Sequence, residues 1–175
     1  AVKQTSGVYE AQGMAYSVVE MKRGSQKKYV FLAGMEPDKN LMEELSSMEI
    51  YKGRRLTKSD QSSVVLGYNY MIDNKIFEKG LDINDRVEIN NKTFRVVGFY
   101  DSIGNPQDDA NAYLNTEAYE DLYLEEDLTY NMIISSVDVN NIPLAVENIE
   151  KSLRRTRDVE KGQEDFYVAS FEDML

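Results

Sequence analysis

The sequence contains no cysteine, no histidine and no tryptophan among its 175 residues. Because there is no cysteine, the chain forms no disulfide and carries no evidence about the redox state of its compartment. The absence of histidine removes the most common general base and the most common zinc ligand together. The most frequent forms of acid–base catalysis and of zinc chemistry are therefore not expected here.

Long apolar runs and positive charge are also scarce. The chain has no run of about 18 apolar residues, the length that suggests a membrane-spanning helix, and no charged-then-apolar leader. Lysine and arginine number 20 against 31 acidic residues, which gives a formal net charge of −11. Nucleic acids and anionic membrane surfaces repel such a chain, so neither is expected as a partner.

The apolar content of 42% is enough for one hydrophobic core or two small ones, and its periodicity predicts an α+β fold. Residues 8–21 and 28–35 are rich in β-forming side chains and flank a polar turn at 23–26, so they are expected to form a hairpin or two sequential strands. Pro37-Asp38 is expected to start a short helix. One face of this helix would carry Leu41, Met42, Leu45 and Met48.

The C-terminal part of the sequence continues the alternation of strands and helices. We expect a strand at 131–139, with residues 132–134 as its buried stretch, and a closing strand at 165–171. Between these strands, Asn141 and Pro143 open the clearest helix of the chain. The apolar stripe of that helix consists of Ile142, Ala145, Val146, Ile149 and Leu153.

Residues 51–126 are expected to form a lobe inserted between these outer segments. A short strand at 64–66 ends at Gly67, which would allow a tight turn into a helix. A hairpin follows, with strands at 87–89 and 94–96. Asn90-Asn91 makes the hairpin turn, Thr116 is expected to cap a later helix, and the apolar face of the first helix would be Met71, Ile72, Ile76 and Phe77.

One candidate for nucleophilic catalysis is Ser25, which has the Ser-x-x-Lys spacing to Lys28 of an acylating serine, with Ser59-Asp60 as a faint partner motif. The chemistry requires a lysine folded back on a helix, where it can deprotonate the serine. Ser25 instead lies in a predicted turn between strands, and no Lys-Thr-Gly follows. A solvated turn is the favoured interpretation.

An acidic loop at 101–110 is the better candidate for binding a hard cation. Because the sequence cannot show that its oxygens converge, a loop-capping or solvated role is favoured. Residues 82–88 also begin like a calcium loop, but Val87 stands where such a loop needs glycine. The candidate oxygens of the acidic loop belong to Asp101, Asn105, Asp108 and Asp109.

The chain has neither of the glycine-rich loops that bind nucleotide phosphates, so any ATP used in its system must bind another domain or chain. Its twelve tyrosines favour rim packing on strands and helices, with a contact surface as the alternative. We therefore predict no catalytic residue, no cofactor-binding residue and no metal ligand.

Between residues 53 and 98, glycine, charged and apolar residues follow one another in a pattern that core packing alone does not require. It resembles the extracytoplasmic core domain of MacB-like and FtsX-like ABC transporter permeases. In that family a Gly-Arg dipeptide and an acidic residue precede a Val-Val-Leu-Gly strand, and a hairpin ends in Val-Gly or Ile-Gly. The matching residues are Gly53-Arg54, Asp60, Val64-Val65-Leu66-Gly67, Phe77, Val87-Glu88-Ile89-Asn90 and Phe94-Arg95-Val96-Val97-Gly98.

The resemblance implies a porter-like α/β layer at 1–50 and 127–175, with a mixed α/β lobe inserted at 51–126. It implies a non-catalytic domain at the cell membrane, on its extracytoplasmic side, that couples ATP-driven motion of membrane helices to export or to an extracytoplasmic substrate. The partners it implies are the permease's own membrane helices, a second permease copy, a cytoplasmic ATPase subunit and a substrate or accessory protein. No cofactor is implied.

Two departures from the family pattern indicate a divergent branch, of which an archaeal one is a candidate. The spacing from Gly67 to Phe77 is long, and Asn84 replaces the usual glycine before the first hairpin strand. Two other classes stay open. A free-standing extracellular binding module would need a pocket of convergent polar groups, and a hydrolase would need a clustered, perturbed site.

The two ends of the sequence suggest an excised segment. It opens at Ala1 without methionine and closes on an acidic stretch at 171–175 that is typical of the first turn of a helix. A loop cut from between two membrane helices would explain both ends, whereas removal of a signal peptide would explain the start alone.

Overall fold

The computed structural model of the protein describes residues 1–123 and 130–174. A mixed sheet with a few helices gives the α+β fold that the sequence predicts. The strands are β1 (Val8–Arg23), β2 (Gln26–Met35), β3 (Ile50–Gly53), β4 (Ser63–Leu66), β5 (Arg86–Ile89), β6 (Lys92–Tyr100), β7 (Ala112–Asn115) and β8 (Met132–Val137). The α-helices are α1 (Leu41–Ser46), α2 (Thr116–Glu120) and α3 (Ile142–Arg157). In this part of the chain, none of the helices has the length and apolar character needed to cross a membrane.

The chain folds into two compact units, of which the smaller consists of Ala1–Gln12 and Ile134–Leu175 and the larger of Gly13–Ile133. Strand β2 pairs with β7, so residues 13–50 join the larger unit. The boundaries between the two units therefore differ from those expected between the layer and the lobe. The second expected boundary, at 126–127, lies outside the described residues. The porter-like layer at 1–50 and 127–175 stays a prediction.

The strands of the larger unit pair in the order β2-β7-β4-β6-β5-β1, and β1 pairs with β2 as well. The pairings therefore close into a ring. The pairs β2–β7 and β4–β6 are parallel, whereas the other neighbours in the ring are antiparallel. The contact of β1 with β5 has two registered pairs, Met21–Ile89 and Lys22–Glu88.

Both predicted hairpins are confirmed. Strands β1 and β2 are joined by a tight turn and stay in register from Met14–Met35 to Arg23–Gln26. Strands β5 and β6 are joined by Asn90 and Asn91, with φ of 46° and 66°. Asparagine tolerates positive φ, so the turn forms without glycine.

The core of the larger unit follows from the alternation of side chains along the strands. On β1, Val19 and Met21 are buried, while Val18 next to Val19 is 58% exposed. Side chains from α2 and from the segment after β4 complete this core, because Tyr70, Phe77 and Tyr119 pack into the same cluster. Full burial of one such side chain stabilises the fold by about 1.5–3 kcal/mol.

Helix α3 organises the smaller unit. Pro143 lies in its first turn, where a missing N–H costs nothing, and the helix ends at Asp158 in a left-handed conformation. Ile149 packs with Val2 and Ala11 in a small apolar cluster. Arg154 near the end of the helix pairs with Glu164 at 2.8 Å, which also suits the helix dipole.

Two predicted elements of the chain are wrong. The segment after Gly67 forms a 3-10 turn at Tyr68–Met71 and then irregular turns, because Asn74 has φ of 62° and cannot continue a right-handed helix. Residues 165–171 form no strand, and Tyr167 is 84% exposed. Too few apolar side chains face inward there to hold a strand.

Smaller corrections concern element ends. Helix α1 begins at Leu41 and not at Pro37-Asp38. Strand β6 runs through Gly98 to Tyr100, so this glycine does not end the strand. Ile133, expected in a buried stretch, is 43% exposed.

Gly67 is required for space and not for an unusual backbone conformation. Its φ is −70°, but a Cβ atom there would lie 2.4 Å from the carbonyl oxygen of Asp109. Because the obstructing atom is backbone, we expect Gly67→Ala to lower the free energy of unfolding by about 1–3 kcal/mol in urea titrations.

Gly104→Asn is the control for this substitution. Gly104 has φ of 82° but nothing within 4 Å of its Cβ position, and asparagine tolerates positive φ. We expect its stability to stay within about 0.5 kcal/mol of the parent. Equal stability of the Gly67→Ala variant and the parent would show that the backbone at Asp109 can move away from residue 67 at no cost.

Candidate functional site

The family-like residues between 53 and 98 meet where β3 approaches β6. Gly53 has φ of 82°, and a Cβ atom on it would lie 2.3 Å from the carbonyl oxygen of Val97. Arg54 then donates its backbone N–H to this same oxygen at 2.9 Å. On the other strand, a Cβ atom on Gly98 would lie 2.2 Å from the carbonyl oxygen of Arg54. Both glycines therefore permit a backbone contact that any side chain would block.

The side chain of Arg54 holds the loop between β3 and β4 by a bidentate ion pair. Its two terminal nitrogens lie 2.7 and 2.9 Å from the carboxylate oxygens of Asp60. Thr57 donates to the same carboxylate from its backbone N–H at 2.8 Å and from its hydroxyl at 2.7 Å. We call Gly53, Arg54, Asp60 and Gly98 the Arg54–Asp60 junction.

The charge state of the junction follows from these contacts. The Arg54 guanidinium holds the pKa of the Asp60 carboxyl well below its usual range, against the opposing effect of burial, and hydrogen bonds from Thr57 add to this. The same pair raises the pKa of Arg54. Both groups stay charged across the physiological range, so Asp60 has no proton to exchange near neutral pH.

A buried asparagine that sequence reasoning missed extends the junction to α2. Asn115 donates its side-chain amide to the carbonyl oxygens of Thr57 and Lys58 and accepts from the N–H of Ala118 at 2.8 Å. It is the N-cap of α2, the role expected of Thr116. The signal was available, because asparagine is at least as good a cap as threonine.

A second buried group, also missed, is Glu43. Its carboxylate accepts the hydroxyl of Tyr100 at 2.7 Å and forms an ion pair with Arg55. Burial raises the pKa of Tyr100 above its usual value, and raises that of neighbouring Tyr113 to about 12. The adjoining cavity of about 10 Å³ holds about one water molecule, so it is too small for an organic ligand.

The acidic loop keeps most of its carboxylates occupied internally. Asp109 accepts the hydroxyl of Ser102 at 2.7 Å and the N–H of Ile103 at 2.9 Å. Asn105 donates its amide to Asp108 at 2.7 Å. Within residues 1–123 and 130–174, no group of three or more acidic side chains is placed to hold a metal ion. These contacts favour the loop-capping role.

The serine candidates are not assembled into a catalytic site. Ser25 lies in the turn between β1 and β2, and Lys28 is on β2 opposite Met21. The hydroxyl of Ser59 lies 3.0 Å from that of Thr57, which is engaged with Asp60. Each serine has a structural setting of its own.

The tyrosines divide into buried and exposed groups. Tyr70 and Tyr113 are almost fully buried in the larger unit. Tyr16 and Tyr29 instead lie on the outer face of the β1–β2 hairpin, together with exposed Val18 and Phe31. Contact surfaces favour exposed aromatic side chains of this kind.

The matching family model is that of the MacB-like periplasmic core domain, over residues 1–152. The chain belongs to this family. The resemblance drawn from residues 53–98 is thus confirmed. Members of this family are domains of ABC transporter permeases, which are not a catalytic class, and the family places the domain on the extracytoplasmic side of the membrane.

Individual relatives agree with this assignment. An ABC transporter permease of Methanocaldococcus jannaschii is 32% identical over 178 residues, which cover 99% of this chain and 42% of that permease. The chain thus spans less than half the length of this relative.

Two solved structures share the fold. The periplasmic region of MacB from Actinobacillus actinomycetemcomitans gives a TM-score of 0.76 at 17% identity, covering 99% of this chain and 77% of that one. The extracellular domain of the ABC-type transporter YknZ from Gram-positive bacteria gives a TM-score of 0.74 at 13% identity, and the match covers 95% of this chain and 85% of that one.

The pKa of Asp60 predicts how stability changes with pH. Its folded-state pKa is lowered, so its contribution is complete above the unfolded-state value of about 3.9 and is lost as pH falls toward the folded-state value. In this MacB-like domain we expect Asp60→Asn to lower the free energy of unfolding by about 1–3 kcal/mol at pH 7. The deficit should shrink between pH 4 and pH 2, as measured by urea unfolding at each pH.

Asp82→Asn provides the matched control. Asp82 pairs with Lys52 at 2.8 Å, but its side chain is 65% exposed. An exposed pair contributes about 0–1 kcal/mol, so this variant should behave like the parent at every pH. A pH-independent deficit in Asp60→Asn would show that the ion pair is not its cause.

Proposed function

We propose that this MacB-like domain performs no catalysis and transmits movement of the permease's membrane helices to a substrate or accessory protein outside the membrane. The partners in this proposal are the permease's own membrane helices, a second permease copy and a cytoplasmic ATPase. ATP binding and hydrolysis take place on the ATPase, and the larger unit moves as a rigid body in response.

The Arg54–Asp60 junction is the observation that carries the proposal. The residues typical of the family are used to fasten a loop between strands, and their polar groups are satisfied within the domain. A binding or catalytic site needs polar groups that stay available to a ligand. A body that transmits displacement needs internal stiffness, which a bidentate ion pair with a buried carboxylate and two backbone contacts supply.

The experiment measures distances between spin labels in the assembled transporter. The chain has no cysteine, so Val18→Cys introduces a single labelling site in each domain. Between the nucleotide-free and ATP-trapped states, we expect the distance between the labels on two permease copies to shift by several ångströms in double electron–electron resonance. An ATPase variant unable to bind ATP should show no shift.

Rigidity is tested within one domain by labelling Val18→Cys together with Lys58→Cys, since both positions are exposed. This internal distance should be the same in both nucleotide states. Adding Asp60→Asn should broaden its distribution, because the loop at 57–60 loses its anchor. Unchanged distances between copies would contradict force transmission, and an internal distance that changes with ATP would contradict the rigid body.

A further inference from the structure

Two arginines face each other across neighbouring strands of the larger unit. Arg86 on β5 and Arg95 on β6 are registered partners, so their side chains lie on the same face of the sheet. Both are exposed. Like charges placed directly opposite each other destabilise a sheet, so this pair has an energetic cost unless an anion lies between the side chains.

Neither arginine is neutralised by the protein. Within residues 1–123 and 130–174, neither side chain forms an ion pair or a hydrogen bond, although the chain has 31 acidic residues. Two acids of the flanking segments are committed elsewhere, since Asp60 pairs with Arg54 and Asp85 with Arg23. Glu88, also on β5, is registered opposite Lys22.

The arginines border a polar surface depression with a volume of about 460 Å³. The loop before β4 forms its other side, and four hydroxyl groups line it together with the guanidinium groups. The Arg54–Asp60 junction fixes this loop and neutralises the carboxylate of Asp60 that also borders the depression. The hydroxyl groups belong to Ser59, Ser62, Ser63 and Thr93.

We propose that this depression binds a small phosphate-class anion, which bridges Arg86 and Arg95. Guanidinium groups donate paired hydrogen bonds to phosphate and carboxylate oxygens alike. The hydroxyls of Ser62 and Thr93 add two further donors, and this favours a tetrahedral anion because its four oxygens accept more hydrogen bonds than the two of a carboxylate. The anion also removes the repulsion between the arginines.

The source of the anion is a free ion and not a lipid headgroup. A formal net charge of −11 repels an extended anionic surface, whereas a single anion inside the depression is within about 8 Å of both arginines, where their field is not fully screened. This site is independent of the proposed transmission of movement.

The test titrates the domain with inorganic phosphate at constant ionic strength and follows backbone amide shifts by NMR. We expect saturable shifts in β5, β6 and residues 59–63. Arg86→Gln and Arg95→Gln should each weaken binding at least about tenfold, which corresponds to about 1.4 kcal/mol. Arg155→Gln removes the same charge from an exposed position in α3, so it should bind phosphate like the parent.

Thermal unfolding gives a second readout that does not depend on the NMR assignment. Without phosphate, Arg86→Gln should melt no lower than the parent because the repulsion is gone. At the same phosphate concentration, the melting temperature should rise more in the parent than in the variant. A variant that melts lower without phosphate would contradict the repulsion argument.

Three further outcomes would overturn the proposal. Phosphate shifts that persist unchanged in both arginine variants would place the anion elsewhere. Equal saturation by acetate would assign the site to carboxylates. Binding to phosphatidylglycerol vesicles without binding of free phosphate would assign it to a lipid headgroup.

Discussion

The bidentate ion pair of Arg54 with Asp60 is the interaction on which the larger unit depends. The loop between β3 and β4 has no regular hydrogen-bonded structure, yet these two strands flank β6. A charged pair with a nearly buried carboxylate fixes the loop, and removing one partner would leave the other poorly solvated. Gly53 and Gly98 are needed because the backbones of β3 and β6 lie in close contact beside this pair.

Three buried acidic residues of this MacB-like domain hold parts of its own structure in place. Glu43, Asp60 and Asp109 are buried, and each accepts hydrogen bonds from its own surroundings. A carboxylate used in this way sets the position of a loop or a tyrosine. Arg86 and Arg95 differ from these carboxylates, because neither side chain has a partner among the described residues.

Elements with a strong local signal were predictable from the sequence, and those that depend on distant contacts were not. Helix α3 and the Asn90-Asn91 hairpin were recognised because their apolar periodicity and turn residues agree. The helix predicted after Gly67 rested on the apolar spacing of residues 71, 72, 76 and 77, whereas Asn74 and the backbone packing around Gly80 prevent a helix there. The family motif located the Arg54–Asp60 junction. The capping role of Asn115 was available from the sequence, but its contact with Thr57 and that of Glu43 with Tyr100 were not, since these partners are 58 and 57 positions away.

The closed ring of strands lowers the tendency of the domain to aggregate. An open sheet ends in strands whose unpaired backbone groups invite pairing with another molecule, and that is a common route to aggregation. In the ring, each of β2, β7, β4, β6, β5 and β1 has a neighbour on both sides. This topology protects a domain that has no disulfides, and the formal net charge of −11 adds repulsion between copies.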